Sequence, residues 1–182
     1  MTLHLDVRYG LVLLLIALAV VLPLLEGCGW RLRGSYDFPA VMERVNLKGA
    51  ARYSQLGIVI HGAFASTNSK LVDSPEQATA ILHILAETSD KRTLATDSSG
   101  RASEYEISYQ IRFKIVDAAG LELVSAQEIN TSREYKFDPS HVLATGSEVE
   151  RLQKDMIRIS VQQMMYRINA HMRSIRRQEG NH

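Results

Sequence analysis

The strongest pattern along the chain is an alternation. Tyr105, Ile107, Tyr109, Ile111, Phe113 and Ile115 are separated by Glu106, Ser108, Gln110, Arg112 and Lys114. A period of two puts the apolar side chains on one face of a strand and the polar ones on the other. That is the pattern of a half-buried antiparallel strand. Before it, residues 80–88 (Ala-Ile-Leu-His-Ile-Leu-Ala-Glu-Thr) predict another strand, and Ser98-Ser99-Gly100 supplies the turn between them. Asp117-Ala118-Ala119-Gly120 turns the chain into a third long strand, about residues 121–137, ended by Asp138-Pro139. Its alternation is less regular, so its register or a bulge stays open.

Elsewhere the period lengthens. Tyr53, Leu56, Ile60 and Phe64 recur at three- and four-residue spacing and predict a helix from Ala50 to Ala65. Gly57 and Gly62 weaken it by about 1 kcal/mol each relative to alanine. Ser66-Thr67-Asn68-Ser69 ends it. A second helix, about 147–176, carries Val149, Leu152, Met156, Ile159, Ile168, Met172 and Ile175 on one stripe, widened by Val161, Met164 and Met165. Ser147 is its expected N-cap, with Glu150 at capping-box spacing, and Gly180 marks its end. Short extended pieces are expected at Trp30–Gly34, ahead of the Phe38-Pro39 break, then at Val45–Leu47 and Leu71–Val72. The sum is an α+β fold: an antiparallel or mixed sheet of about four strands with two helices packed on one face.

The first thirty residues follow a different logic. Leu11 to Leu25 is an apolar run behind a weakly basic start containing His4 and Arg8. Fifteen helical residues reach roughly 22 Å, short of a hydrocarbon core of about 30 Å, so the run suits a signal peptide. Leu25-Glu26-Gly27-Cys28 resembles a bacterial lipobox, with Glu26 departing from the usual small or apolar residue. Residues 1–27 are thus expected to be a lipoprotein signal peptide and 28–182 one domain, with Cys28 lipidated. The competing reading is an uncleaved anchor helix with Cys28 as an ordinary residue. Cys28 is the single cysteine, which removes any intramolecular disulfide and nearly removes a cysteine metal site. Three acyl chains on it would anchor the protein permanently, since two already suffice.

Composition narrows function mostly by exclusion. With 46% hydrophobic and 23% charged residues, the chain is neither disordered nor membrane-saturated. Its net charge is +1 overall and +2 once residues 1–27, with Asp6, Arg8 and Glu26, are set aside. That balance lacks the basic excess of a nucleic-acid binder. The six histidines, His4, His61, His83, His141, His171 and His182, show no metal-ligand or catalytic spacing. There is no nucleophile elbow and no phosphate-cradling glycine loop, so neither an enzyme nor a cofactor or metal site is expected. The methionines read as core first and as a soft ligand surface second. Arg167, Arg173, Arg176 and Arg177 suit the negative end of a helix dipole, with an anionic partner as the alternative. Lys91, Arg92 and Arg101 flank the first long hairpin. Hairpin cations are usually solvated, but loops on rigid scaffolds also carry function.

Cys28-Gly29-Trp30-Arg31-Leu32-Arg33-Gly34 resembles the start of mature lipopolysaccharide-assembly lipoproteins of the LptE family. Ser99-Gly100-Arg101-Ala102-Ser103-Glu104-Tyr105 resembles the family's glycine and small-polar segment running through Glu-Tyr into a strand. Phe137-Asp138-Pro139 before a long helix fits as well. The resemblance implies a non-enzymatic outer-membrane lipoprotein. It would plug a large β-barrel lipopolysaccharide-assembly partner (LptD-like), help it assemble and bind lipopolysaccharide, while acylated Cys28 enters outer-membrane lipid. Gly29, in place of aspartate after the cysteine, implies outer-membrane sorting. A binder of an anionic amphiphile wants cations beside apolar surface, which nominates Arg101, with Lys91 and Arg92 in reserve. Ser98, Ser99 and Thr145, expected in a loop before the long helix, stand where the family has basic contacts. The alternative is a lipid-carrier or transport-accessory lipoprotein outside any barrel, which predicts a closed apolar cavity.

Overall fold

A computed structural model describes residues 36–137 and 142–179. The expected strand Trp30–Gly34, Cys28 and the Asp138-Pro139 stop lie outside the described residues. The elements are β1 (Arg44–Lys48), α1 (Gln55–Ala65), β2 (Lys70–Val72), β3 (Ala80–Thr96), β4 (Ala102–Asp117), β5 (Glu122–Lys136) and α2 (Val142–Glu179). The sheet has five strands, not about four, in the order β2-β1-β3-β4-β5. β1 runs parallel to both β2 and β3, and β3, β4 and β5 form an antiparallel meander.

β4 is built as its alternation requires. Ile107, Tyr109, Ile111, Phe113 and Ile115 are buried on the face that meets the helices. The irregularity expected in the third strand resolves into register shifts between Phe113 and Val116, so β5 loses its simple alternation there. β3 runs eight residues beyond the predicted 80–88, because β4 supplies hydrogen-bond partners as far as Thr96. Its own side chains from Leu85 onward are not buried.

The first helix starts at Gln55, five residues later than predicted. The reason is local: the Ser54 hydroxyl caps it by accepting from the Gly57 N–H at 3.0 Å. Tyr53 therefore falls outside α1 and is 86% exposed, while Leu56, Ile60 and Phe64 are buried as expected. A β-carbon on Gly57 would stand 2.1 Å from the Ala51 carbonyl oxygen, whereas one on Gly62 would meet nothing. Gly57 is thus demanded by the loop folded against the helix, and Gly62 is a plain loss of helix propensity.

α2 begins at Val142, so Ser147 and Thr145 lie inside the helix and not at a cap or in a loop. Its buried stripe holds Met156, Ile157, Val161, Met164, Met165, Ile168 and Met172. The four methionines of this stripe are core. α2 packs on β4, β5 and α1, with a buried hydrogen bond at 2.9 Å joining Ser160 Oγ and Thr131 Oγ1 of β5. Arg167 is not at the helix end as expected, and its guanidinium donates to the Glu128 carbonyl at 2.8 Å. No helix among the described residues is long and apolar enough to cross a membrane.

Candidate functional site

The predicted cations sit on the β3–β4 hairpin, whose turn is made by Asp97-Ser98-Ser99-Gly100-Arg101. The Asp97 carbonyl accepts from the Gly100 N–H at 2.9 Å, and the Asp97 N–H donates to the Arg101 carbonyl at 2.7 Å. Gly100 has φ +78°, the left-handed value expected in a short hairpin loop with a glycine bulge. The Asp97 carboxylate accepts from the N–H groups of Ser99 at 2.8 Å and Arg101 at 3.0 Å. It also meets the Arg101 guanidinium at 3.2 Å. The Arg101 N–H leads in holding the Asp97 carboxyl below its ordinary range, with the Ser99 N–H and the Arg101 charge adding to it.

Lys91 and Arg92 are neighbours in β3 and therefore project to opposite faces. Lys91 lies opposite Ile107, on the helix side, with Nζ 4.2 Å from the Tyr105 ring centroid. That distance is within cation–π range. Tyr105 stacks on Tyr135 with centroids 5.4 Å apart and meets Phe137 edge-on at 6.1 Å. Arg92 lies opposite Glu106 on the outer face, and Nε reaches Glu106 Oε1 at 2.8 Å. Strand alternation and the turn thus keep Lys91, Arg92 and Arg101 from converging on one point. Lys91 alone adjoins apolar surface, a cluster of Tyr105, Tyr135 and Phe137. Sequence reading missed Tyr135 and Phe137, because only the register that sets Tyr105 beside Tyr135 reveals them. Deeper on the same face the Tyr109 hydroxyl donates to Glu87 Oε1 at 2.9 Å. Burial, then the Glu87 carboxylate, raise its pKa.

The outer face of this half is mostly hydrophilic, interrupted by Ala86 and Ala95. Thr88, Gln110 and Asn130 form one row, and Asp90, Ser108 and Ser132 the next. They line a shallow polar depression of about 180 Å³. Beneath the opposite face the core is filled by side chains from all layers, including Phe64, Leu82, Ile111, Phe113, Met156 and Met164. The exposed large apolar residues Tyr53, Ile58, Leu85, Leu94, Leu121 and Tyr166 are scattered among loops, α1, β3 and α2.

A family model described as lipopolysaccharide-assembly, LptE, matches residues 45–168, well over half the chain, spanning all five strands, α1 and most of α2. The chain belongs to the LptE family. An LPS-assembly lipoprotein LptE of Yersinia enterocolitica is 24% identical over 162 residues, 88% of this chain and 76% of the relative. One from Photorhabdus laumondii is 22% identical over 149 residues, 82% of this chain and 80% of the relative. Among solved structures, lipoprotein B from Nitrosomonas europaea superposes with TM-score 0.65 at 33% identity, covering 78% of this chain and 91% of that one. The rare lipoprotein B of Shewanella oneidensis gives 0.56 at 25% identity, covering 76% and 97%. LptE membership therefore rests on sequence and agrees with the fold.

Proposed function

We propose that this LptE-family chain is a non-enzymatic outer-membrane lipoprotein. In this reading it seats inside a large β-barrel lipopolysaccharide-assembly partner, helps that barrel assemble and contacts lipopolysaccharide in transit. The observation that carries the reading is the pairing of a solid core with a largely polar outer sheet face around the β3–β4 hairpin. A wide barrel has a polar lumen, and a plug for it needs hydrophilic walls and no large exposed apolar patch. A lipid carrier would instead need an apolar cavity on the scale of hundreds of Å³. The depression on the outer face is shallow, lined by polar side chains and about 180 Å³.

Lipopolysaccharide contact is assigned first to Lys91. Its ammonium stands beside Tyr105, Tyr135 and Phe137, which offers charge and apolar surface together. Arg101 and Arg92 are secondary, since each already meets a carboxylate. The proposal includes a signal peptide over residues 1–27 and acylation of Cys28 in outer-membrane lipid.

The test is affinity purification of the tagged protein from detergent-solubilised outer membranes, with intact-mass analysis. A large β-barrel in near-equal amount, together with a mass beginning at acylated Cys28, is the expected result. Recovery of an acylated protein alone would move the assignment to the carrier reading.

A further inference from the structure

At the other end of the outer sheet face, β-pairing gathers three basic side chains that are far apart in sequence. Lys48 of β1 pairs with His83 of β3, and His83 pairs with Lys114 of β4, so all three stand in one row on one face. Adjacent strands lie about 4.8 Å apart, which places the two lysine backbones about 10 Å from each other with His83 between them. Long lysine stems can close that gap over the imidazole.

The surrounding rows show what is unusual here. Arg92 meets Glu106 at 2.8 Å and Lys136 meets Glu104 at 3.5 Å, and Arg112 lies opposite Glu128. Even Arg44, opposite Lys70, reaches the Gln77 carbonyl at 2.6 Å and Glu43 at 3.8 Å. Lys48, His83 and Lys114 make no ion pair or side-chain hydrogen bond with the described residues. Lys114 falls within the β4–β5 register shift and has no cross-strand partner on β5. Lys48 and Lys114 repel each other and any positive charge on His83 between them, and a bound anion would reverse the sign of that interaction. Burial, followed by the charges of Lys48 and Lys114, lowers the His83 pKa.

We propose that Lys48, His83 and Lys114 form a site for a phosphate group, free or carried on a lipid headgroup. A phosphate monoester brings a charge near −2 and three acceptor oxygens, matching three donors in one row better than a carboxylate does. Its charge favours the imidazolium, so binding raises the His83 pKa. The other charged groups of this face nearest the row are Arg112 on β4, Glu122 and Glu128 on β5, and Arg44 and Lys70 on β1 and β2. The site does not depend on the barrel reading, because it uses the end of the sheet remote from the hairpin turn.

The experiment follows the His83 imidazole by NMR in the full chain in neutral detergent, with His83→Gln identifying its resonance. Inorganic phosphate is titrated at constant ionic strength, and in parallel mixed micelles with phosphatidic acid are compared with phosphatidylcholine micelles. The expected result is a raised His83 pKa with one of the two probes, weakened at least about tenfold in the Lys48→Gln/Lys114→Gln double variant, as loss of charge-assisted hydrogen bonds predicts. Lys154→Gln, on α2, should leave it unchanged. A response to inorganic phosphate identifies a free anion, and a response confined to phosphatidic acid identifies a headgroup. No response to either, or one that survives the double substitution in a folded variant, overturns the proposal.

Discussion

The β3–β4 ladder has two ends that share a turn design and differ in everything packed on them. At the end near β1, Ala80, Leu82 and Ile84 of β3 and Phe113 and Ile115 of β4 are buried with the helices in one core. Toward the hairpin turn, β4 and β5 still bury Ile107 and Tyr135, but no β3 side chain from Leu85 to Thr96 is buried. There β3 presents Glu87, Ser89, Lys91 and Thr93 on the helix side, because α2 rests on β4 and β5 while β1 and α1 stop short. The turns match closely. Asp117-Ala118-Ala119-Gly120-Leu121 repeats the hydrogen bonds of Asp97-Ser98-Ser99-Gly100-Arg101, with Gly120 at φ +89° and Gly100 at +78°. Local sequence makes the turn, then, and tertiary packing decides whether a strand end serves the core or the surface.

If the packed end carries the stability, Phe113→Ala should be the most damaging change, costing about 3–5 kcal/mol through the cavity it leaves. Urea unfolding checks this, and a loss below about 1 kcal/mol would erase the distinction between the ends. Next comes the joint between α2 and β5. Ser160→Ala strands the buried Thr131 hydroxyl and should cost about 1–3 kcal/mol. Adding Thr131→Val should restore much of that loss, because two apolar partners leave nothing unsatisfied. Gly100→Ala and Gly120→Ala should each cost about 1–2 kcal/mol, since both glycines occupy left-handed backbone. Equal losses would confirm that the turns are governed locally, and unequal ones would show coupling to the packed end.

The smallest expected effect belongs to the exposed end. Arg92→Ala and Arg101→Ala remove surface ion pairs and should change stability by less than about 1 kcal/mol each. Acid titration separates the ends once more. Lowered native pKa values mean that the unfolded chain binds protons first, so stability falls as pH falls. The His83 contribution is present above the ordinary histidine value near 6.5 and is lost below it, while that of Asp97 is lost only below the ordinary carboxylate range. His83→Gln should flatten the first phase of acid destabilisation and leave the second in place.

The sequence by itself determined what depends on short spacing. The buried face of β4, both hairpin turns, the methionine stripe of α2 and the LptE resemblance are all carried by residues a few positions apart. Even there, neighbours shifted the ends: the Ser54 cap moved the start of α1, and β4 drew β3 out to Thr96. Tertiary structure alone decided which distant residues share a row. It set Tyr135 beside Tyr105, split Lys91 from Arg92 across the sheet, and aligned Lys48, His83 and Lys114. The physical reason is that side-chain period is a property of one strand, whereas register is fixed by pairing between strands. One chain segment read alone holds the first kind of information and none of the second.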